Sequence, residues 1–291
     1  MRTYTATAAA LLGLWLSLSP ARAATDHYFP ASDGVRLHYA EAGHGQTVVF
    51  VPGWTMPAWI FDAQIADLSH FYHVVAFDPR SQGSSEVAAS GHEPGQRGQD
   101  IADLLAQLGP APVVLIGWSL GVLDSLAYLH THGDGKIAGM VLIDNSVGEN
   151  PPPSGDGAPP VAERRRGRRV IVSREAAMRN FVRGMFVRPM SASYIERLTQ
   201  AALHTPPAAA AALLAYPLPR SYWREAVYST RKPVLYIVRR GLAGQAGSLA
   251  ANDPTAESII LNGVGHAMFV EDPARFDSLL YTFLQGRVWP G

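Results

Sequence analysis

Short apolar runs alternate along the chain with longer segments in which apolar residues recur at helical spacing. The runs 47–51 and 137–143 are apolar almost throughout, as is typical of strands buried on both faces of a sheet. Between 96 and 108, apolar residues follow one another at three- and four-residue intervals, which predicts an amphipathic helix. The repeated alternation of such strands and helices predicts an α/β protein with a mostly parallel, doubly wound sheet.

The predicted elements cover most of the first half and the last quarter of the chain. An Asp33-Gly34 turn separates the first two strands. The predicted strands are 26–31, 35–42, 47–51, 73–77, 112–116, 137–143, 233–238 and 258–261. The predicted helices outside the central region are 59–68, 96–108, 122–130 and 273–285.

The alternation stops after residue 146. Positions 150–160 are rich in proline and glycine and predict a linker. The chain from 161 to about 230 has a helical pattern without a clear buried strand. We therefore predict one core, made of 24–146 and 231–291, that is interrupted by an insertion over 147–230.

The first 23 residues have the features of a secretory signal. Arg2 precedes an apolar stretch that is too short to span a bilayer comfortably. Ala21-Arg22-Ala23 matches the small-residue pattern of a cleavage site, so we expect the mature chain to begin at Ala24. This predicts a periplasmic or secreted protein that keeps no stable membrane anchor after cleavage.

The amino-acid composition limits which binding partners and which kinds of chemistry are expected. The 291 residues contain 24 basic and 24 acidic side chains, which gives no reason to expect nucleic acid or an anionic membrane as partner. The sequence has no cysteine, which excludes disulfides, thiol catalysis and a lipid anchor on cysteine. The length fits a single α/β domain with an insertion.

The sequence Gly117-Trp118-Ser119-Leu120-Gly121 directly follows a predicted buried strand and precedes a predicted helix. In this G-x-S-x-G arrangement, the glycines allow a sharp turn that leaves the serine hydroxyl exposed. Serine needs a base within hydrogen-bond reach to become a nucleophile. His266 follows the last predicted strand through a glycine-rich loop, so it lies at the same edge of a parallel sheet as Ser119.

Four motifs together give the chain a family resemblance. They are Val51-Pro52-Gly53-Trp54, Phe77-Asp78-Pro79-Arg80-Ser81-Gln82-Gly83-Ser84-Ser85, Gly117 to Gly121, and Gly263-Val264-Gly265-His266. With this set, the chain resembles the α/β-hydrolase superfamily over nearly all of its mature length. The resemblance implies the α/β-hydrolase fold, a helical cap in the insertion, and a catalytic triad in the order serine, acid, histidine.

An oxyanion hole requires two donors beside the nucleophile. The backbone N–H groups of Leu120 and Trp54 are the candidates. The His-Gly pair usual in the family is Pro52-Gly53 here, so a hydrogen bond from that histidine is lost.

The third member of the triad is less directly indicated. Many relatives carry the acid after the strand that corresponds to 234–238, but the loop that follows it here has no carboxylate. Asp253 precedes the next strand and should face the opposite edge. Asp144 directly follows the strand 137–143, where some relatives carry their acid, although it could also simply cap that turn. Glu271 and Asp272 violate the family order, so we select Asp144.

Other polar groups have structural interpretations. Asp78 and Arg80 are expected to hold their loop by charge-assisted hydrogen bonds. The arginine-rich run 164–169 is expected to be a solvated surface, and His130 with His132 lacks the further ligands of a metal site. Apolar residues of the insertion could line an acyl pocket or form its own core. They are Met178, Phe181, Met185, Phe186, Tyr194, Tyr216, Tyr222 and Trp223.

The sequence thus predicts an exported serine hydrolase that cleaves small-molecule carboxylic esters through an acyl-enzyme. Ser119, His266 and Asp144 form the triad, and no cofactor or metal is expected. Two alternatives remain open. One is a cofactor-free haloperoxidase or perhydrolase that uses the same triad. The other is a hydrolase-like binding protein with slow turnover.

Overall fold

The computed structural model describes residues 24–149 and 173–290, which contain an eight-stranded sheet flanked by helices. The strands are β1 (Thr25–Pro30), β2 (Arg36–Ala42), β3 (Thr47–Val51), β4 (His73–Asp78), β5 (Val113–Trp118), β6 (Ile137–Ile143), β7 (Val234–Arg239) and β8 (Ala256–Leu261). The predicted signal 1–23, the predicted linker 150–160 and the arginine run 164–169 lie outside the described residues.

The strand order is β1-β2-β4-β3-β5-β6-β7-β8. The pairs β1–β2 and β2–β4 are antiparallel, and all the other neighbouring pairs are parallel. The predicted fold class, a mostly parallel and doubly wound α/β sheet, is confirmed. The chain moves to one side of β3 to form β4 and to the other side to form β5. The loops after β3 and β5 therefore meet at a switch point, where sheets of this kind form a crevice.

Helices occupy both faces of the sheet. They are α1 (Asp62–Leu68), α2 (Pro94–Gln107), α3 (Leu120–His132), α4 (Arg174–Gly184), α5 (Ala192–His204), α6 (Pro207–Ala212), α7 (Arg220–Ser229), α8 (Ala243–Asn252), α9 (Met268–Glu271) and α10 (Pro273–Phe283). The described part of the segment between β6 and β7 is thus helical. No helix within the described ranges has both the length and the hydropathy that crossing a bilayer requires.

The central strands are largely apolar because each face of the sheet has its own core. In β3, Val49 and Val51 face the core that contains α2, α3, α7 and α8. Val48 and Phe50 face the core that contains α1, α4, α5 and α10. Each buried aliphatic side chain stabilises the fold by about 1.5–3 kcal/mol. Because successive side chains of a strand point to opposite faces of the sheet, β3 contributes to both cores.

The helices between β6 and β7 do not all pack in the same way. On α7, Trp223 is buried in the same core as α3, and the Tyr222 ring lies 4.0 Å from the His130 ring. Helices α4 and α5 instead add Val182 and Leu198 to the opposite core. The segment therefore packs against both sides of the molecule.

Candidate active site

Ser119 lies at the turn between β5 and α3, with φ 55° and ψ −119°. Residues with a Cβ seldom adopt this left-handed backbone. Two glycines make the turn possible, because a Cβ at Gly117 would overlap the Gly121 carbonyl and a Cβ at Gly121 would overlap the Val51 carbonyl. The strained turn that the G-x-S-x-G sequence predicts is present, with the serine at the carboxyl end of a central strand.

Two hydrogen bonds hold this turn from the neighbouring strand. The Ser119 N–H donates to the Ile143 carbonyl at 2.9 Å, and Asn145 Nδ2 donates to the Ser119 carbonyl at 2.7 Å. Both partners lie at the end of β6. The strained backbone is thereby fixed on both sides of the Ser119 Cα.

His266 contacts the two other predicted triad residues. Its Nε2 lies 2.8 Å from Ser119 Oγ, and its Nδ1 lies 2.6 Å from Asp144 Oδ2. A carboxylate at Nδ1 requires that this nitrogen carry the proton, so Nε2 accepts from the serine hydroxyl; this tautomer is assigned from its partners. The His266 side chain is 20% exposed and that of Asp144 is 1% exposed. The structure thus brings together Ser119, His266 and Asp144 in one hydrogen-bonded chain.

The loop that carries His266 is held by groups on two sides. Trp118 Nε1 donates to the His266 carbonyl at 2.9 Å, and the two rings are 5.2 Å apart. On the other side, the Glu271 carboxylate accepts a hydrogen bond from the Gly265 N–H. A Cβ at Gly265 would overlap the Met185 carbonyl, so glycine is needed at this close approach.

Asp144 has its own set of partners. Its N–H donates to the Ile237 carbonyl at 2.9 Å, and its Oδ1 accepts from the Arg239 N–H at 3.0 Å. The Arg239 Nε donates to Oδ2 at 2.5 Å. Burial raises the pKa of Asp144, but hydrogen bonds from His266 and Arg239, together with the positive charge of the Arg239 guanidinium, outweigh it and hold this pKa below its usual value. The carboxylate is therefore ionised at neutral pH.

The other carboxylates considered from the sequence are engaged elsewhere. Asp253, just after α8, accepts from the N–H and the hydroxyl of Thr255 at 2.9 and 2.7 Å. Glu271 accepts from the N–H groups of Val187 and Arg188 at 2.5 and 2.6 Å. Glu271 thus links the His266 loop to the segment that follows α4.

The loop after β3 passes directly beside the serine. A Cβ at Gly53 would lie 2.9 Å from Ser119 Cβ and 3.3 Å from Ser119 Oγ, so the backbone of this loop reaches the hydroxyl. Leu120 is the first residue of α3, where N–H groups have no partner within the helix. Within the described ranges, neither the Trp54 N–H nor the Leu120 N–H has a protein acceptor. These are the two groups predicted for an oxyanion hole.

Gln82 fixes this loop. Thr55 has φ 61°, and its N–H donates to Gln82 Oε1 at 2.8 Å. Gln82 Nε2 donates to the carbonyls of Gly53 and Met56, both at 3.2 Å. The side chain is buried, so one amide satisfies three backbone groups on either side of Trp54.

Asp78 and Arg80 hold the surrounding loops. Asp78 accepts from the Ala58 N–H at 2.5 Å and from the Ser84 N–H at 2.8 Å. Arg80 is fully buried and pairs with Asp100 at 2.5 Å. These charge-assisted bonds agree with the structural roles predicted for both residues.

Helices between β6 and β7 contact both loops of the site. Trp54 Nε1 donates to the Ala210 carbonyl on α6 at 2.7 Å, and the Phe181 ring on α4 packs edge-on against Trp54 at 5.0 Å. The Ala267 N–H, next to His266, donates to the Met185 carbonyl at 3.3 Å.

Residues 24–149 and 173–290 contain no group of three or more histidine and carboxylate side chains arranged to hold a metal ion. His132 stacks on Tyr128 at 5.4 Å, and His130 lies against Tyr222. These two histidines therefore have aromatic partners on the flank of α3.

Comparisons with known proteins identify the family that has this architecture. A family model described as "Alpha/beta hydrolase family" matches residues 48–279. The structure superposes on a putative aryl esterase from Burkholderia cenocepacia with a TM-score of 0.74 and 23% identity, covering 90% of this chain and 98% of that one. A bromoperoxidase from Bacillus anthracis gives a TM-score of 0.74 at 22% identity, covering 89% of this chain and 100% of that one. The chain belongs to the alpha/beta hydrolase family.

Curated relatives match over a shorter stretch. A non-heme haloperoxidase from Rhodococcus erythropolis is 34% identical over 117 residues, which are 40% of this chain and 43% of the relative. A non-heme chloroperoxidase from Streptomyces lividans is 35% identical over 115 residues, which are 38% of this chain and 42% of the relative. These matches therefore span less than half the length of either relative.

Proposed function

We propose that this protein is a serine hydrolase that cleaves carboxylic esters of small molecules through an acyl-enzyme intermediate. The observation that carries the proposal is the hydrogen-bonded chain from Ser119 Oγ through His266 to the buried carboxylate of Asp144. A serine so placed is activated by an adjacent general base, which is in turn oriented by a third group.

In the first step, Ser119 Oγ attacks the ester carbonyl carbon while its proton passes to His266 Nε2. The carbonyl oxygen becomes an oxyanion, for which the backbone N–H groups of Leu120 and Trp54 are the available donors. Since each such donor is worth about 10²–10³ in turnover, the fixed geometry of the Gln82-bound loop matters for rate. Collapse of the tetrahedral intermediate expels the alcohol, which takes the proton from His266.

In the second step, water replaces the alcohol. His266 Nε2 accepts a proton from water, whose oxygen attacks the acyl carbon of the Ser119 ester. The carboxylic acid leaves and the serine regains its proton. Asp144 stabilises the imidazolium that forms in both steps and keeps the proton on Nδ1.

A second candidate is favoured by the relatives. Several of them carry haloperoxidase names, and the fold matches a bromoperoxidase. On the same acyl-enzyme, hydrogen peroxide would replace water as the nucleophile and release a peracid. The balance of the two activities depends on which nucleophile reaches the acyl carbon.

The test is turnover of p-nitrophenyl esters of increasing chain length by the wild type and by Ser119→Ala. We expect the variant to lose hydrolysis by several orders of magnitude and to keep its fold, because one hydroxyl is replaced by hydrogen. A fluorophosphonate probe should label Ser119 in the wild type, as shown by peptide mass spectrometry. Near-wild-type turnover by the variant contradicts the proposal.

The same assay separates the alternatives. Faster turnover of a carboxylic acid with hydrogen peroxide than of any ester would favour the perhydrolase. Labelling of Ser119 without turnover of any ester or of acid with peroxide would favour the slow binding protein. We also propose export, on the predicted signal segment alone.

A further inference from the structure

Arg239 places a positive charge beside the Asp144–His266 pair. It is the last residue of β7, the strand that pairs with β6, after which Asp144 follows. Its backbone N–H donates to Asp144 Oδ1 at 3.0 Å and its Nε donates to Asp144 Oδ2 at 2.5 Å. The same Oδ2 accepts from His266 Nδ1 at 2.6 Å. One carboxylate oxygen is thus shared between a guanidinium and the imidazole.

The guanidinium also lies close to the ring itself. Arg239 Nη2 is 3.5 Å from His266 Nδ1, and the Arg239 side chain is 43% exposed. An imidazolium at His266 would therefore lie between one negative and one positive neighbour. The positive neighbour opposes the charge that Asp144 favours.

Among the described residues, the other polar groups around this pair place no further charge in direct contact with it. Ser119 Oγ is neutral at His266 Nε2. The Tyr236 hydroxyl donates to the Asn145 carbonyl at 2.7 Å, and burial raises the pKa of Tyr236, which keeps the hydroxyl neutral. The Glu271 carboxylate accepts from N–H groups of Gly265 and of the segment after α4, and it makes no hydrogen bond or ion pair with the His266 ring. Among the described residues in contact with Asp144 and His266, Arg239 therefore carries the opposing positive charge.

We propose that Arg239 is a positioning residue that fixes the orientation of the Asp144 carboxylate and places a positive charge beside His266 Nδ1, where it favours the neutral imidazole over the imidazolium. A neutral His266 is the form that accepts the serine proton, so the enzyme keeps activity further into the acidic range. The inference rests on the proposed role of His266 as general base.

The test is the pH dependence of kcat/KM for a short-chain ester, measured by pH-stat for Arg239→Met, Arg239→Lys and Arg240→Met. Arg240 is the matched control, since it is the next residue and is exposed. We expect Arg239→Met to move the acidic limb upward by about 0.5–1 pH unit, the size of a unit charge about 4 Å away in a solvent-exposed setting. Arg239→Lys should leave the limb near that of the wild type and lower kcat, because an ammonium cannot reproduce the planar donor geometry.

Ionic strength provides a second check. Because Arg239 is partly exposed, 1 M NaCl should move the acidic limb of the wild type upward while leaving that of Arg239→Met nearly unchanged. Arg240→Met should behave as the wild type in both measurements. An Arg239→Met variant that is folded by circular dichroism but has the wild-type limb overturns the proposal.

An NMR titration of the His266 ring in the Ser119→Ala background tests the effect of Arg239 on this ring without requiring turnover. We expect the midpoint in Ser119→Ala/Arg239→Met to lie higher than in Ser119→Ala by the same 0.5–1 pH unit. Equal midpoints overturn the role of Arg239 whether or not the wild type hydrolyses esters. If the proposed esterase function is wrong, the wild type should instead show neither turnover of esters nor labelling by the fluorophosphonate probe.

Discussion

At Asp144 both the backbone and the side chain depend on the ends of neighbouring strands. Its φ is 52°, in the left-handed region where aspartate and asparagine are several-fold enriched among residues other than glycine. This turn directs the carboxylate across the end of β7 toward His266. An aspartate is thus suited to the position for its backbone preference as well as for its charge.

We predict that Asp144→Asn lowers kcat by at least about 10² with little change in KM, because the amide cannot hold the productive imidazole tautomer or stabilise its charge. Asparagine also tolerates the left-handed backbone, so the variant should fold. Steady-state kinetics on a short ester measures the effect.

The matched control is Asp253→Asn, which we expect to be nearly silent in kcat. Asp253 accepts hydrogen bonds from Thr255 at the other end of β8. A larger loss in Asp253→Asn than in Asp144→Asn would reverse the assignment. If neither Asp144→Asn nor Asp253→Asn lowered kcat, the result would indicate a Ser119–His266 dyad without an acid.

The sequence indicates where Ser119, Asp144 and His266 lie, because each residue comes directly after a strand or after the short loop that leaves a strand. It does not indicate Gln82, Asn145 or Arg239, which bond to partners 27, 26 and 95 residues away in the chain. Such contacts depend on strand order, register and side-chain direction. A local hydrophobic pattern contains none of these.

At the scale of elements, the buried strands are the best predicted. The predicted bounds of β3 and β6 match the structure, because a short run of consecutive apolar residues coincides with a strand that is buried on both faces. The strand β8 begins at Ala256, two residues before its predicted start. It is an edge strand whose middle residues are partly exposed, so polar residues near its start interrupt the apolar run that would reveal its beginning.

The contact between α4 and the loop after β3 leads to a prediction about chain length. The Phe181 side chain is 39% exposed and its ring packs on Trp54 beside the serine. We expect Phe181→Ala to lower kcat/KM about five- to ten-fold for a long-chain ester, through lost apolar contact, and less than two-fold for the acetate.

Tyr222→Ala is the control for this substitution. It removes an aromatic ring from α7, which packs on the flank of α3. Its effect on acetate and long-chain esters should be equal. Equal effects in Phe181→Ala as well would show that α4 does not contact the acyl chain.

The packing of α10 on α1 leads to a prediction about pH and stability. Asp277 is buried, which raises its pKa to about 6, with the charge of Asp67 adding to the effect and a hydrogen bond from Gln64 opposing it. The folded protein thus holds this proton more tightly than the unfolded chain. Stability is highest while the group is protonated and falls as pH rises from about 4 to 6.

We therefore predict that Asp277→Asn raises Tm by roughly 2 °C or more at pH 8 and by less at pH 4.5, since asparagine keeps the Gln64 bond without the buried charge. Thermal denaturation followed by circular dichroism measures this. The control Asp67→Asn removes only the neighbouring charge and should give a smaller gain. A gain for Asp277→Asn that is independent of pH would contradict the titration of this group.

At the scale of the whole molecule, the alternation of strands and helices predicts the sheet and its direction. It does not predict that α7 joins the core beside α3 while α4 and α5 pack on the other side. Each of these helices has an apolar stripe, and a stripe does not specify which surface covers it. That choice depends on the relative positions of the finished elements.

Export is also a property of the whole chain. Cleavage after Ala23 would leave β1, which begins at Thr25, complete in the sheet. We predict that protein produced in a secreting host has Ala24 as its first residue, as measured by intact mass. Soluble cytoplasmic protein that retains Met1 would contradict the proposed export.

Glu271 has a consequence for engineering this scaffold. A single carboxylate accepts hydrogen bonds from Gly265 before His266 and from Val187 and Arg188 after α4. A chimera that exchanges the segment between β6 and β7 for that of another enzyme must therefore supply two free N–H groups at the position of 187 and 188. Without them, the graft would leave the carboxylate under-bonded and loosen the loop of His266. The segment between β6 and β7 and the loop of His266 consequently have to be exchanged together.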